Sequence, residues 1–155
     1  MKLPFEVKET KQAIIFIGIQ ASGKSTFYHT FLEQLGYCHI NLDTLNTRNK
    51  ENILMENCFR EGQSFVIDNT NPEMTDREKY ISKAKENGCE IIGIYFQSIL
   101  CDCIARNMKR KNAVPVCAIP GTQNRLQLPS YKEGFDKLYF ARIAGCSFEI
   151  TNWKI

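Results

Sequence analysis

The chain has 155 residues, enough for one domain with a sizeable core, and its composition is that of an ordinary globular protein with no low-complexity segment. A net charge of +3 is too small to specify a polyanionic partner by itself, and no apolar run is long enough to span a membrane. The seven cysteines are odd in number and scattered through predicted strands and helices, which favours reduced thiols over a disulfide framework. Cys101-Asp102-Cys103 lacks a second close pair, and neither His29 nor His39 stands at ligand spacing to it, so a zinc site is not expected. Met1-Lys2-Leu3-Pro4 leads into charged residues without the apolar core of a signal peptide, so the expected compartment is cytoplasmic.

Residues 1–12 are polar and read as a short lead-in. Ala13-Ile14-Ile15-Phe16-Ile17 is a continuous apolar run, as in a strand buried on both faces. The stretch Gly18-Ile19-Gln20-Ala21-Ser22-Gly23-Lys24-Ser25-Thr26 follows it and fits the phosphate-binding pattern G-x-x-x-x-G-K-[ST]. Glycines in such a loop let successive N–H groups turn inward as an anion nest. Lys24 is expected to reach the β- and γ-phosphates of ATP, and the Ser25 hydroxyl to ligate Mg²⁺. Phe27, Phe31, Leu32 and Leu35 have helical spacing, and Gly36 is a natural stop. Strand, loop and helix together are the context the motif requires.

Tyr37 to Asn41 reads as a short second strand, with Asp43-Thr44-Leu45-Asn46 at its carboxyl end. Ile53, Leu54, Cys58 and Phe59 predict a helix over about 49–61, stopped by Gly62. Ser64-Phe65-Val66-Ile67 is a third strand that runs into Asp68-Asn69-Thr70-Asn71-Pro72. Thr75-x-x-Glu78 resembles a capping box for a helix ending before Gly88, and Glu90 to Phe96 is a fourth strand. Gly36, Gly62 and Gly88 are equally spaced, the rhythm of successive βα units. Cys101 to Lys111 predicts a helix ending in a basic cluster. Residues 112–129, with three prolines and Gly121, predict a loop, and 147–151 a fifth strand. The expected fold is α/β: a three-layer P-loop NTPase fold with a central parallel sheet, adenylate-kinase-like, in a single domain with a small basic lid over about 104–128.

Ligands gather at the carboxyl ends of strands in such sheets, and three polar clusters fall there. The phosphate loop follows the first strand, Asp43 the second and Asp68 the third. Asp68 ends an apolar run, as an acidic residue of a second nucleotide-binding motif does, and could hold Mg²⁺; its alternative is a helix cap. Asp43 could accept a proton from an acceptor hydroxyl, or be a turn aspartate. No acidic residue occurs between Cys103 and Lys132, while Arg106, Lys109, Arg110, Lys111, Arg125 and Lys132 are basic. Arg106 and Arg110 share a helix face and could clamp phosphates from a mobile lid. His29 and Trp153 read as surface or packing residues.

Four stretches together resemble the polynucleotide 5′-hydroxyl kinases, the kinase domains of phage and animal end-healing enzymes within the P-loop kinases. They are the phosphate loop, Asn41-Leu42-Asp43-Thr44-Leu45, Ile67-Asp68-Asn69-Thr70-Asn71-Pro72 and Arg106-Asn107-x-Lys109-Arg110, and Val114-Pro115 and Glu133-Gly134-Phe135 are similar too. The resemblance runs from about Ile14 to Phe140. It implies that Gly18, Ala21, Ser22, Gly23, Lys24, Ser25 and Thr26 bind ATP, with Arg106 and Arg110 reaching its phosphates from the lid. It implies Asp43 as the base toward the 5′-hydroxyl of a DNA or RNA end, assisted by Lys24 and Arg110. Asp68, Asn69 and Thr70 would line the active-site tunnel, Ser25 and Asp68 would serve Mg²⁺, Arg77 would contact substrate, and Arg77 and Arg125 would touch phosphates. Leu42 stands where those kinases often have arginine, and Asn46 where the phage enzyme has one. Arg48 and Lys50 are the next cations along the chain. No phosphatase or ligase segment is read in the sequence. Two other functions stay open: kinase of a small alcohol or nucleoside, and nucleotide-binding ATPase module.

Overall fold

The computed structural model describes residues 2–154. Six strands form one sheet in the order β2-β3-β1-β4-β5-β6, with β1 at Gln12–Ile17, β2 at Cys38–Ile40, β3 at Phe65–Ile67, β4 at Glu90–Phe96, β5 at Lys137–Ala144 and β6 at Ser147–Asn152. The first five strands are parallel to their neighbours, and β6 is antiparallel to β5. β1 lies between β3 and β4, pairing Ile14 with both Val66 and Ile92. That central place is why every residue of β1 is buried and why its sequence is unbroken by polar residues apart from Gln12.

Alternation along β1 divides the core. Ala13, Ile15 and Ile17 face one layer with Ile67, Tyr80, Ile81 and Leu138. Ile14 and Phe16 face the other with Phe27, Leu32, Phe96 and Phe148. The first layer is covered by α3 (Arg48–Glu61) and α4 (Met74–Glu86). The second is covered by α1 (Lys24–Phe27), which continues as a π turn over Tyr28–Leu32 and a 3₁₀ turn over Glu33–Leu35. A short α2 (Leu42–Leu45) follows β2, and α5 (Leu100–Asn107) and α6 (Ala118–Arg125) stand over the phosphate loop.

The sequence expectations need several corrections. The α4 capping box is formed by Glu73 and Asp76, not by Thr75 and Glu78. Residues 112–129 are not all loop: α6 forms despite Pro120 because that proline lies in the first turn, where its missing N–H costs no intrahelical bond. Ile119, fully buried with Ile19 and Cys103, anchors that helix. The segment 147–151 is the sixth strand, since β5 precedes it unpredicted, and it makes the sheet mixed rather than wholly parallel. The polar lead-in is partly buried, with Phe5 packed against Tyr139 at 5.7 Å between ring centroids.

Candidate active site

β1 delivers the phosphate loop at the point where strand order reverses, with β3 on one side and β4 on the other. Gly18 N donates to Thr70 O at 3.0 Å, which fixes the loop to the segment after β3. Gly23 caps α1 at φ 100°, and a Cβ there would stand 2.9 Å from the Phe148 ring, so both conformation and space require glycine. Ala21 also has positive φ, 62°, a conformation that side chains rarely adopt outside functional loops. Arg106 on α5 holds it there by donating to Ala21 O at 3.0 Å.

Lys24 is buried, and its ammonium donates to Gly18 O at 2.9 Å and Ile19 O at 2.8 Å. Burial pulls its pKa down to about 8, against the opposing charge of Asp68. Ser25 Oγ donates to Asp68 Oδ2 at 2.7 Å, and His39 Nε2 lies 2.7 Å from the same oxygen. Asn41 Nδ2 is a third, longer donor at 3.3 Å. Burial alone would raise the Asp68 carboxyl; the His39 hydrogen bond, the Lys24 charge and the Ser25 hydroxyl outweigh it and hold the carboxyl below its ordinary value. Sequence reading missed His39, which sits on β2 one strand away from Asp68 across the β2–β3 pair. Its ring stacks on Tyr28 at 4.0 Å, which fixes its plane.

These groups suit Mg²⁺. Ser25 and Asp68 are hard oxygen donors, and Asp68 Oδ1 accepts no hydrogen bond among the described residues. Mg²⁺ takes few protein ligands when phosphates and water supply the rest.

The run 68–72 gives each residue a separate task. Asn69 Oδ1 accepts from Leu42 N at 2.9 Å and so pins the first residue of α2. Asn71, at φ 46°, donates from Nδ2 to Phe16 O at 2.7 Å, and Pro72 O accepts from Gln127 N at 2.7 Å beyond α6. Asp43 is exposed in the first turn of α2, where Asn41 Oδ1 accepts from Asp43 N at 2.8 Å. Asn46 ends α2 at φ 70°, a left-handed cap that asparagine tolerates well.

Two cavities open here. One of about 230 Å³ is lined by the loop with Lys24, Ser25, Asp43, Asp68, Arg106 and Arg110. The other, about 240 Å³, is lined by Asp43, Arg48, Asn69, Pro72, Tyr80 and Arg125. They share Gln20, Asp43, Asn69, Thr70 and Val114, so they join at Asp43. Arg77 is not brought to either. It is fully buried, forks onto Glu133 at 2.8 and 3.2 Å, and donates to Asn71 O and Gln127 O. All of its groups are consumed inside the fold, which corrects the expectation of a substrate contact. His29 pairs with Glu33 on the surface, and Trp153 packs on Tyr95.

Residues 14–129 match the family described as AAA domain. Over 140 residues the chain is 34% identical to a protein of Acanthamoeba polyphaga mimivirus, covering 83% of this chain and 32% of that one, and named for polynucleotide phosphatase and kinase activities. It is 30% identical to the bifunctional polynucleotide phosphatase/kinase of Schizosaccharomyces pombe, covering 84% and 33%. The chain thus spans about a third of the length of these two relatives. An L-seryl-tRNA(Sec) kinase of Methanococcus maripaludis is 24% identical, covering 79% and 55%. Similar folds include a gluconokinase from Sinorhizobium meliloti (TM-score 0.59, 16% identity, 86% and 83% covered) and Kti12 from Chaetomium thermophilum in complex with ADP-AlF3 (TM-score 0.64, 15% identity, 83% and 87% covered). A strand-loop-helix phosphate-loop motif at the reversal point of a mostly parallel sheet, together with the family match over residues 14–129, places the chain in the AAA domain family.

Proposed function

We propose that the chain transfers the γ-phosphoryl group of ATP to the 5′-hydroxyl of a nucleic acid end, DNA or RNA. The observation that carries this is the single carboxylate, Asp43, at the junction of a phosphate-binding cavity and a second cavity walled by Arg48 and Arg125. An ATPase or switch positions water and needs no second, cation-walled cavity beside the base.

In the proposed reaction the loop amides and Lys24 hold the ATP phosphates, and Asp43 orients the acceptor hydroxyl and takes its proton. A bond forms from the acceptor oxygen to the γ-phosphorus as the bond to the β,γ-bridging oxygen breaks, and ADP leaves. Arg106 and Arg110 reduce the charge on the transferring group from the lid side. Ser25 and Asp68 would hold Mg²⁺, which supplies further neutralisation of the phosphates. The two relatives named as polynucleotide phosphatase/kinases support a nucleic acid acceptor. A small alcohol or nucleoside is the second reading, favoured by the modest size of the acceptor cavity, about 240 Å³, and by neutral residues at Leu42 and Asn46.

The test is transfer of labelled γ-phosphate from ATP to a 5′-hydroxyl oligonucleotide, with the 5′-phosphorylated oligonucleotide as control. Label on the free end alone is the expected result. Absence of label, with ATP still bound, would overturn the nucleic acid acceptor and favour a small one.

A further inference from the structure

Cys58 lies in the last turn of α3, buried in the core layer that also holds Met55 and Phe65. Cys38 opens β2 and is half-buried against the same layer. Backbone bonds fix the two at one corner of the fold. Cys58 O accepts from Gln63 N at 2.8 Å, and Cys38 N donates to Ser64 O at 3.0 Å, so consecutive residues of one turn hold both cysteines. Gln63 Nε2 closes the corner from the other side by donating to Gly36 O at 2.8 Å. The side chains converge there, and the Cys58 thiol donates a hydrogen bond to the Cys38 sulfur.

The two thiols differ as an attacking and a resolving cysteine do. Cys38 is partly exposed on a strand at the edge of the sheet, where a small oxidant reaches it. The hydrogen bond from Cys58 favours its thiolate and outweighs the opposing effect of burial, so its pKa falls below the ordinary thiol value. Giving that hydrogen bond, together with burial, pushes the Cys58 thiol up, and it stays protonated. The remaining thiols stand elsewhere. Cys101, Cys117 and Cys146 are exposed, and Cys103 is buried on α5 beside Ile19 of the phosphate loop. Cys89 precedes β4, three strand spacings or ~14 Å from β2, too far to bridge to Cys38.

We propose that Cys38 and Cys58 are a redox site: hydrogen peroxide converts them to an intramolecular disulfide joining β2 to α3, and a dithiol restores them. The Cys38 thiolate attacks one peroxide oxygen. The O–O bond breaks, an S–O bond forms, and the departing oxygen takes up the Cys38 proton and leaves as water, so that Cys38 is a sulfenic acid. The Cys58 sulfur then attacks the Cys38 sulfur. The S–O bond breaks, the S–S bond forms, and the hydroxyl leaves with the Cys58 proton as a second water. Two electrons pass from the sulfurs to one peroxide. The resolving thiol stops oxidation at a reversible stage, short of the sulfinic acid that an unpartnered thiol reaches. The bridge encloses residues 39–57, which carry His39, Asn41 and Asp43, so it ties that segment to the core at both ends. The inference holds whatever the acceptor of the kinase proves to be.

The test treats the reduced full chain with a small excess of hydrogen peroxide, alkylates the remaining thiols under denaturing conditions and maps the products by mass spectrometry. The variant carrying Cys101→Ser, Cys117→Ser and Cys146→Ser is treated in parallel, so that exposed thiols do not compete. The expected result in both is a bridge from Cys38 to Cys58 within one chain, with the loss of those two thiols to alkylation and their return after a dithiol. In Cys58→Ala the reaction is expected to stop at a Cys38 sulfenic acid, trapped with dimedone, and in Cys38→Ala the Cys58 thiol is expected to survive. Thermal unfolding of both variants shows whether each is folded, and the bridge map of the native sequence decides the matter if Cys58→Ala is not. The proposal is overturned if Cys38 and Cys58 both remain alkylatable while exposed thiols are consumed, if Cys38 passes to sulfinic acid with Cys58 intact, or if Cys58 is found joined to Cys89.

Discussion

Lys24 lies in a buried place where its hydrogen-bond partners among the described residues are loop carbonyls and a hydroxyl. Its folded pKa of about 8 lies below the ordinary 10.5, so between those values the unfolded chain binds the proton more tightly. The contribution of this group to stability therefore rises with pH across about 8 to 10.5, the opposite of a lysine that gains a carboxylate partner. ATP phosphates favour the charged ammonium, so ATP binding takes up a proton above pH 8 and weakens as pH rises through about 8. Calorimetry at pH 8.5 (roughly the middle of the transition) in buffers of different ionisation enthalpy reads that uptake directly; identical heats would contradict it. Asp43→Asn keeps the size and capping of α2 but removes the carboxylate proposed as the base. Transfer is expected to fall by ~10²–10⁴-fold with ATP affinity retained, and equal losses of both would argue for a binding role instead. His39 was invisible to sequence reading because the contact with Asp68 joins residues 29 positions apart.

Single elements carry the next level of organisation. Arg77 joins α4 to the 3₁₀ turn of Tyr131–Glu133 and to the chain at Asn71 and Gln127. Removing one partner leaves a buried charge, so Arg77→Ala should cost ~3–5 kcal/mol and lower the melting temperature by ~6–20 °C. Calorimetric unfolding checks this, and an unchanged melting temperature would contradict Arg77 as an interior tie. The β5–β6 hairpin is a second case. Phe148 packs edge-on against Phe27 at 5.2 Å and closes over Gly23, so the hairpin braces the phosphate loop from behind. Phe148→Ala should destabilise the fold by ~3–5 kcal/mol and also weaken ATP binding, a pairing that a core cavity remote from the loop would not produce. Neither α6 nor β5 was legible. Pro120 and Gly121 mask a helix whose main anchor is one buried isoleucine, and β5 mixes apolar residues with lysine and arginine because it lies toward the edge of the sheet.

Across the whole molecule, charge is modest and its placement matters more than its sum. The cations that face the cavities come from α1, α3, α5, α6 and the turn after α5, so electrostatic attraction is local. The KM for an oligonucleotide is expected to rise with salt, with a slope near −0.7 in log affinity against log salt per phosphate contacted. A nucleoside acceptor should show almost none, and equal salt dependence for both would count against the acceptor-side cations. Among the described residues no helix is long and apolar enough to cross a membrane.

What the sequence determined by itself was whatever rests on local pattern. The apolar run of β1, the phosphate loop and the apolar lead into Asp68 depend on neighbours within a few residues, and each specifies a strand end and its chemistry without reference to the rest of the chain. Equal glycine spacing gave the βα rhythm for the same reason. Only the tertiary structure decided which charges are spent in the interior and which face a cavity. Arg77 and Arg48 look alike in sequence, yet one is consumed by Glu133 and the other is held by Glu51 with a free edge toward Asp43. That outcome depends on Glu133, 56 positions from Arg77, on Tyr80, 32 positions from Arg48, and on the burial of each carboxylate, all of which long-range packing sets.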